Sequence, residues 1–216
     1  RGSGIGGFRG RFLLLLLLCG LSLAGGEPRT LYTAGGSRVK TLDPAQADDL
    51  SSRNLVGAVY DTLLQYDYLK RPYTLIPSML AEMPKANDAL DVYSFRLRDD
   101  LYFAAGLPKE ARRITSKDVL YSILRLADVR NHSPVYWLFR GKIRGLDEFN
   151  RATAAAPKGD FTPYDRGLPG FEVVDDLNFK LHLTGPDPRF LYMLAMPNAA
   201  VVSRRAAERY GYQIRD

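Results

Sequence analysis

The stretch Tyr93-Ser94-Phe95-Arg96-Leu97-Arg98-Asp99, followed by Thr115-Ser116-Lys117-Asp118-Val119, decides the fold class. In the first segment Tyr93, Phe95 and Leu97 alternate with Ser94, Arg96 and Arg98, the period of a half-buried strand. In the second, Thr115 and Asp118 stand at capping-box spacing, and Val119, Leu120, Ile123, Leu124 and Ala127 then recur on one helical face. Strand and helix in such close succession predict an α/β chain.

Working outward, Phe171 to Asp175 and Leu177 to Leu183 read as two strands joined tightly at Asp175 and Asp176, with His182 on the polar face of the second. A short strand is expected at Leu101 to Phe103, and another at Leu31 to Ala34 ending in Gly35 and Gly36. Ser51 can cap a helix reaching about Leu64, because Leu55, Val56, Val59, Tyr60 and Leu63 recur at three- and four-residue spacing. Beyond the hairpin the pattern predicts a short helix over Phe190 to Ala195, a strand at Ala199 to Val202, and a helix from Ser203 to Tyr210 closed by Gly211. Pro and Gly cluster from Pro157 to Gly170, which marks a linker or boundary.

The chain has 216 residues, 46% hydrophobic and 25% charged, a globular composition that excludes wholesale disorder and a fibrous chain. The first 26 residues hold three of the 30 basic residues and none of the 24 acids, so half of the formal +6 belongs to them. There Arg9 and Arg11 precede the apolar run Phe12 to Leu18, with small residues at Ser22 and Ala24. This is the make-up of a secretory signal peptide, favoured over an uncleaved anchor or a buried helix. The apolar core is about a dozen residues, short of the roughly 18 to 20 that span a bilayer. Cleavage near Ala24 is favoured over lipid anchoring through Cys19, because Leu18 stands where a small residue would be expected. Gly2, Gly4 and Gly7 match G-x-G-x-x-G, with Glu27 20 residues beyond, but no strand feeds them, so the dinucleotide reading fails.

Cys19 is the one cysteine and His132 and His182 are the two histidines, which leaves no disulfide, thiolate site or zinc spacing after residue 26. Neither a metal nor another cofactor is expected. The acid pairs Asp99-Asp100 and Asp175-Asp176 fall at turns, whereas Asp48 and Asp49 lie in a polar loop before a helix. No nucleophile elbow, Walker loop or H-E-x-x-H helix appears. An exported hydrolase using His132 or His182 is the alternative reading, and nucleic-acid binding, suggested by a pI near 9.4, ranks below it. The cluster Tyr136, Trp137 and Phe139 follows a loop-forming run at Arg130 to Pro134; such rings are usually core, yet loops favour binding residues.

Several segments together resemble the extracytoplasmic solute-binding proteins of ABC importers that take oligopeptides, dipeptides and related solutes. They are Leu42-Asp43-Pro44-Ala45, Val59-Tyr60-Asp61-Thr62-Leu63-Leu64, Pro77 with Leu80-Ala81-Glu82, and the two segments quoted first. Phe171-Glu172-Val173-Val174-Asp175-Asp176 and Phe190 to Pro197 leading to Tyr210-Gly211 complete the set. Ala105 stands where the family carries an acid before its glycine, here Gly106, and Lys109 to Arg113 is an insertion. The family's Gly-Thr-Gly segment does not follow Gly211, and members are more than twice as long.

The resemblance implies a mixed-sheet lobe of a two-lobed, flytrap-like periplasmic-binding-protein fold, truncated before the second lobe. Residues 1–26 would be the signal peptide, 27–58 and 166–216 parts of lobe I, and 59–165 a subdomain inserted in that lobe. It further implies a monomeric, non-enzymatic binder in the periplasm or another extracytoplasmic space, partnered by a peptide or similar small solute and a membrane permease, without nucleic acid. Oligosaccharides, nickel, haem and opines remain open as ligands within the family. By position Asp48, Asp49 and Leu50 resemble the ligand-lining strand, with either acid suited to a cationic solute group. Val135, Tyr136 and Trp137 resemble a second contact region, with Tyr136 or Trp137 as the packing group.

Overall fold

The computed structural model describes residues 38–104, 108, 110, 112–157 and 159–210. The signal segment, Cys19, the Leu31–Ala34 strand, Ala105, Gly106 and Gly211 lie outside the described residues.

In chain order the helices are α1 (Leu50–Val59), α2 (Ser116–Ala127), α3 (Tyr136–Phe139), α4 (Leu146–Ala155), α5 (Thr162–Asp165), α6 (Phe190–Met193) and α7 (Arg204–Tyr210). The strands are β1 (Leu64–Tyr66), β2 (Leu75–Pro77), β3 (Lys85–Ala86), β4 (Val92–Arg96), β5 (Phe171–Val173) and β6 (Asn178–His182). Short 3-10 turns occupy Pro44–Gln46, Val129–Asn131 and Pro197–Ala199. β1 and β2 form a hairpin, and the remaining strands form one sheet in the order β3-β4-β6-β5, with antiparallel ladders throughout the described residues.

The alternation read from the sequence places Tyr93 and Phe95 of β4, and Phe179 and Leu181 of β6, on one buried face. Register sets Phe95 opposite Phe179, and Leu181 opposite both Tyr93 and Phe171. The ring of Phe179 therefore stacks between Phe95, at 4.8 Å and 1°, and Phe171, at 4.9 Å and 7°. Lys180 and His182 emerge on the opposite face, where both meet Glu172.

α2 packs into the same core through Val119, Ile123, Leu124 and Ala127. Its start is fixed by Asp118, whose Oδ2 accepts the Thr115 N–H and hydroxyl at 2.9 Å each. Ser116 ties that start to the β5–β6 turn by donating to the Asp175 carbonyl at 2.6 Å.

Three secondary-structure expectations change. α1 ends at Val59 and not near Leu64; Tyr60 is already extended, and Leu63 and Leu64 enter the core at the start of the β1–β2 hairpin. The cause is non-local, since the Thr62 and Leu63 carbonyls accept from Met79 and Ser78, and the Asp61 carbonyl accepts from Val201. Leu101–Phe103 forms only an isolated bridge, Tyr102 to Arg113, and Ala199–Val202 is a turn followed by extended residues without a ladder. The stretch from Pro157 to Gly170 is anchored: Arg130 donates to the Pro157 and Asp160 carbonyls, and Tyr164 and Leu168 are buried. Gly170 sits so close to Arg144 that an added Cβ would fall 2.6 Å from its carbonyl oxygen, which is why no side chain fits there.

Candidate functional site

The loop carrying Asp48 is positioned from beneath by a buried ion pair. Asp43 caps the Pro44–Gln46 turn by accepting the Ala45 N–H at 3.0 Å, and its other oxygen meets the Arg125 guanidinium of α2. Both side chains are essentially inaccessible, 0% and 1% exposed. Burial pushes the Asp43 carboxyl up, while Arg125 and the Ala45 N–H oppose the shift. Such a pair contributes mainly position, because its desolvation cost offsets much of its attraction. Asn198 adds a second clamp: its amide donates to the carbonyls of Pro44 and Ala47 at 2.8 Å each.

This platform presents Asp48, Asp49 and Leu50 differently. Asp49 caps α1, its Oδ1 accepting the Ser52 N–H at 2.9 Å and its Oδ2 the Ser52 hydroxyl at 2.6 Å. Those bonds hold its carboxyl below the usual range. The Ser52 hydroxyl also accepts the N–H of Lys40 and Thr41, tying the incoming chain to the helix. Asp48 is exposed, with Lys40 at 3.4 Å, and Leu50 is 67% exposed. Of the two acids, Asp48 is thus the one that faces solvent. Ser51 does not cap the helix; the cap is two residues earlier.

Tyr136 and Trp137 open α3 and also part ways. The Tyr136 hydroxyl donates to Asp147 Oδ1 at 2.6 Å, and burial together with that carboxylate raises its pKa above the ordinary tyrosine range. Trp137 is 70% exposed. It borders a cleft of about 430 Å³ shared with Tyr66, Tyr192 and Met196, and rimmed by the Lys142–Asp187 ion pair.

The two regions converge on one segment. Met196 lines the Trp137 cleft, and Asn198, two residues later, clamps the turn that leads into Asp48. Local pattern offered no signal for Ser52 or Asn198, whose partners lie up to 154 residues away.

The histidines are apart from this site and from each other. His132 is an exposed residue in left-handed conformation, φ 51°. His182 pairs with Glu172 at 3.1 Å on the outer face of the sheet. The hydrogen bonds of the described residues place no serine hydroxyl on either ring.

Comparison with known proteins places the chain in a family. The chain is 30% identical over 193 residues to the periplasmic oligopeptide-binding protein OppA of Escherichia coli (strain K12), covering 89% of this chain and 32% of that protein. The glutathione-binding protein GsiB of the same strain is 24% identical over 186 residues, covering 86% and 30%. The chain thus spans about a third of the length of these relatives. Among solved structures, Listeria monocytogenes OppA bound to peptide shares the fold at a TM-score of 0.67 and 21% identity, over 82% of this chain and 31% of that one. The E. coli murein tripeptide binding protein MppA does so at 0.62 and 24%, over 79% and 30%. The sequence model described as the middle part of the bacterial extracellular solute-binding proteins, family 5, matches residues 74–214. By that match the chain belongs to the bacterial extracellular solute-binding proteins of family 5.

Proposed function

We propose that the protein is the extracytoplasmic solute-binding component of an ABC transporter, capturing oligopeptides or dipeptides between two lobes and delivering them to a membrane permease. The observation that carries this reading is the family match across residues 74–214. The names of its relatives, which speak of oligopeptide, glutathione and murein tripeptide, favour a short peptide as ligand.

In this reading the peptide lies extended. Its main chain is satisfied by strand-like hydrogen bonds and its side chains enter hydrated pockets, which makes binding tolerant of sequence. Asp48, Asp49 and Leu50 line one side, with Asp48 facing a cationic group, and Tyr136 and Trp137 supply packing. Residues 27–58 and 166–216 belong to one lobe with 59–165 inserted in it; β4 and β6 pair across those segments, which supports a single lobe. Closure is a hinge motion stabilised by contacts to both lobes, and no covalent step is required. Residues 1–26 direct the protein out of the cytoplasm, and it works as a monomer in the periplasm or another extracytoplasmic space.

Calorimetry of the intact protein without residues 1–26 against a library of short peptides tests the proposal. Saturable binding with the peptides recovered unchanged is expected. Absence of binding across the library would remove the peptide assignment, and cleaved peptides would point to the hydrolase instead.

A further inference from the structure

We propose that the cleft beside Trp137 is a self-contained subsite for an aromatic residue bearing a free carboxylate, as at a peptide's C-terminus. The inference deepens the solute-binding reading and rests on it only for the ligand's being a peptide.

The walls are aromatic and unusually open: Trp137 is 70% exposed, Tyr66 42% and Tyr192 40%. The rings of Tyr66 and Tyr192 stand 6.1 Å apart at 38°, and Met193 and Met196 also line the cleft. Tyr66 is held edge-on by Tyr73 at 6.0 Å and 76°, and Arg71 covers the Tyr73 ring at 4.1 Å. Tyr66 is therefore braced before a ligand arrives, which lowers the ordering cost of binding. A ligand ring would gain ring–ring and sulfur–ring contact on burial. At about 430 Å³ the cleft falls within the roughly 300 to 1,000 Å³ of small-ligand sites.

Charge selects the polar half of the ligand. Lys142 is neutralised by Asp187, which also accepts the Arg189 backbone N–H at 3.0 Å. Arg189 is exposed, and among the described residues no carboxylate lies within ion-pair distance of its guanidinium. Asp187 also feels the Arg189 charge, so the lining sets two cations against one carboxylate; that one net positive charge beside an aromatic wall fits one carboxylate attached to one ring, whereas a polyphosphate strand would need a track of cations.

Trp137 is the only tryptophan in the chain, so its fluorescence reports on the cleft directly. N-acetyl-phenylalanine should produce a saturable change, and its amide should bind about threefold to fivefold more weakly for want of the ion pair. N-acetyl-glycine should not saturate. Arg189→Gln should lower the acid to the level of the amide, and Tyr192→Ala should abolish both responses. Equal affinity for acid and amide in the unmodified chain, an acid preference that survives Arg189→Gln, or no saturable response overturns the proposal. Because these probes are single amino-acid derivatives acting on this chain, the outcome is separate from peptide calorimetry on the intact protein.

Discussion

Asp48 and Asp49 are chemically identical neighbours that the fold puts to different uses. Asp49 accepts two hydrogen bonds from Ser52, while Asp48 faces solvent beside Lys40. The bonds lower the Asp49 pKa from 3.8, so ionised Asp49 favours the folded state. The sign follows from linkage: a lowered folded value gives stability that is present above the unfolded pKa and lost as pH falls through the folded one. Asp49→Asn keeps a capping acceptor without the charge. Its urea midpoint should lie below that of the unmodified protein at pH 7, and the gap should close as pH falls below 3.8. A gap that stays constant between pH 7 and pH 3 would show that the charge contributes nothing. The sequence made the Asp48–Leu50 loop legible because a polar pair precedes an apolar helical pattern. It pointed to Ser51 and not Asp49 as the cap, although both satisfy the local rule; the choice follows from Ser52 also receiving Lys40 and Thr41.

Elements whose reasons are local were legible, and elements whose reasons are distant were not. β4, β6 and α2 follow from alternation and a capping box, and all three stand where those patterns put them. The error at the end of α1 is instructive. Leu55 and Val59 fit the helical period yet are 40% and 62% exposed, and Val56 is the apolar residue of α1 that is fully buried. Hydrogen bonds to Met79, Ser78 and Val201 draw residues 61–63 out of the helix, and nothing in residues 51–64 encodes those partners. The sheet's own cohesion rests on the Phe171–Phe179–Phe95 stack, whose middle ring is 1% exposed. Phe179→Ala removes contacts on both of its faces and should cost about 3 to 5 kcal/mol. Equilibrium urea unfolding measures this, with an unchanged m-value expected if the native state stays two-state. A loss under about 1 kcal/mol would mean that the neighbouring strands close over the gap.

At the scale of the whole molecule, the proposed contact residues and the exposed apolar residues of α1 belong to one question. Leu50, Leu55 and Val59 are 67%, 40% and 62% exposed, and Trp137 is 70% exposed, on a chain that spans about a third of its relatives' length. The Met196–Asn198 segment connects the loop before α1 to the Trp137 cleft through side-chain contacts. If a peptide lies against both regions, its binding should slow backbone exchange in both together, because ordering and water exclusion reduce local opening. Hydrogen-exchange mass spectrometry of the intact protein with and without a bound peptide provides the readout. Slowed exchange is expected over residues 48–59 and 135–139, with little change in β4 and β6, whose ladder bonds already join them along their length. Protection confined to 135–139 would remove Asp48, Asp49 and Leu50 from the site and leave the aromatic cleft as its sole part on this chain. Protection in neither region, with calorimetric binding intact, would place the ligand against other residues and overturn the site assignment while leaving the transport role in place.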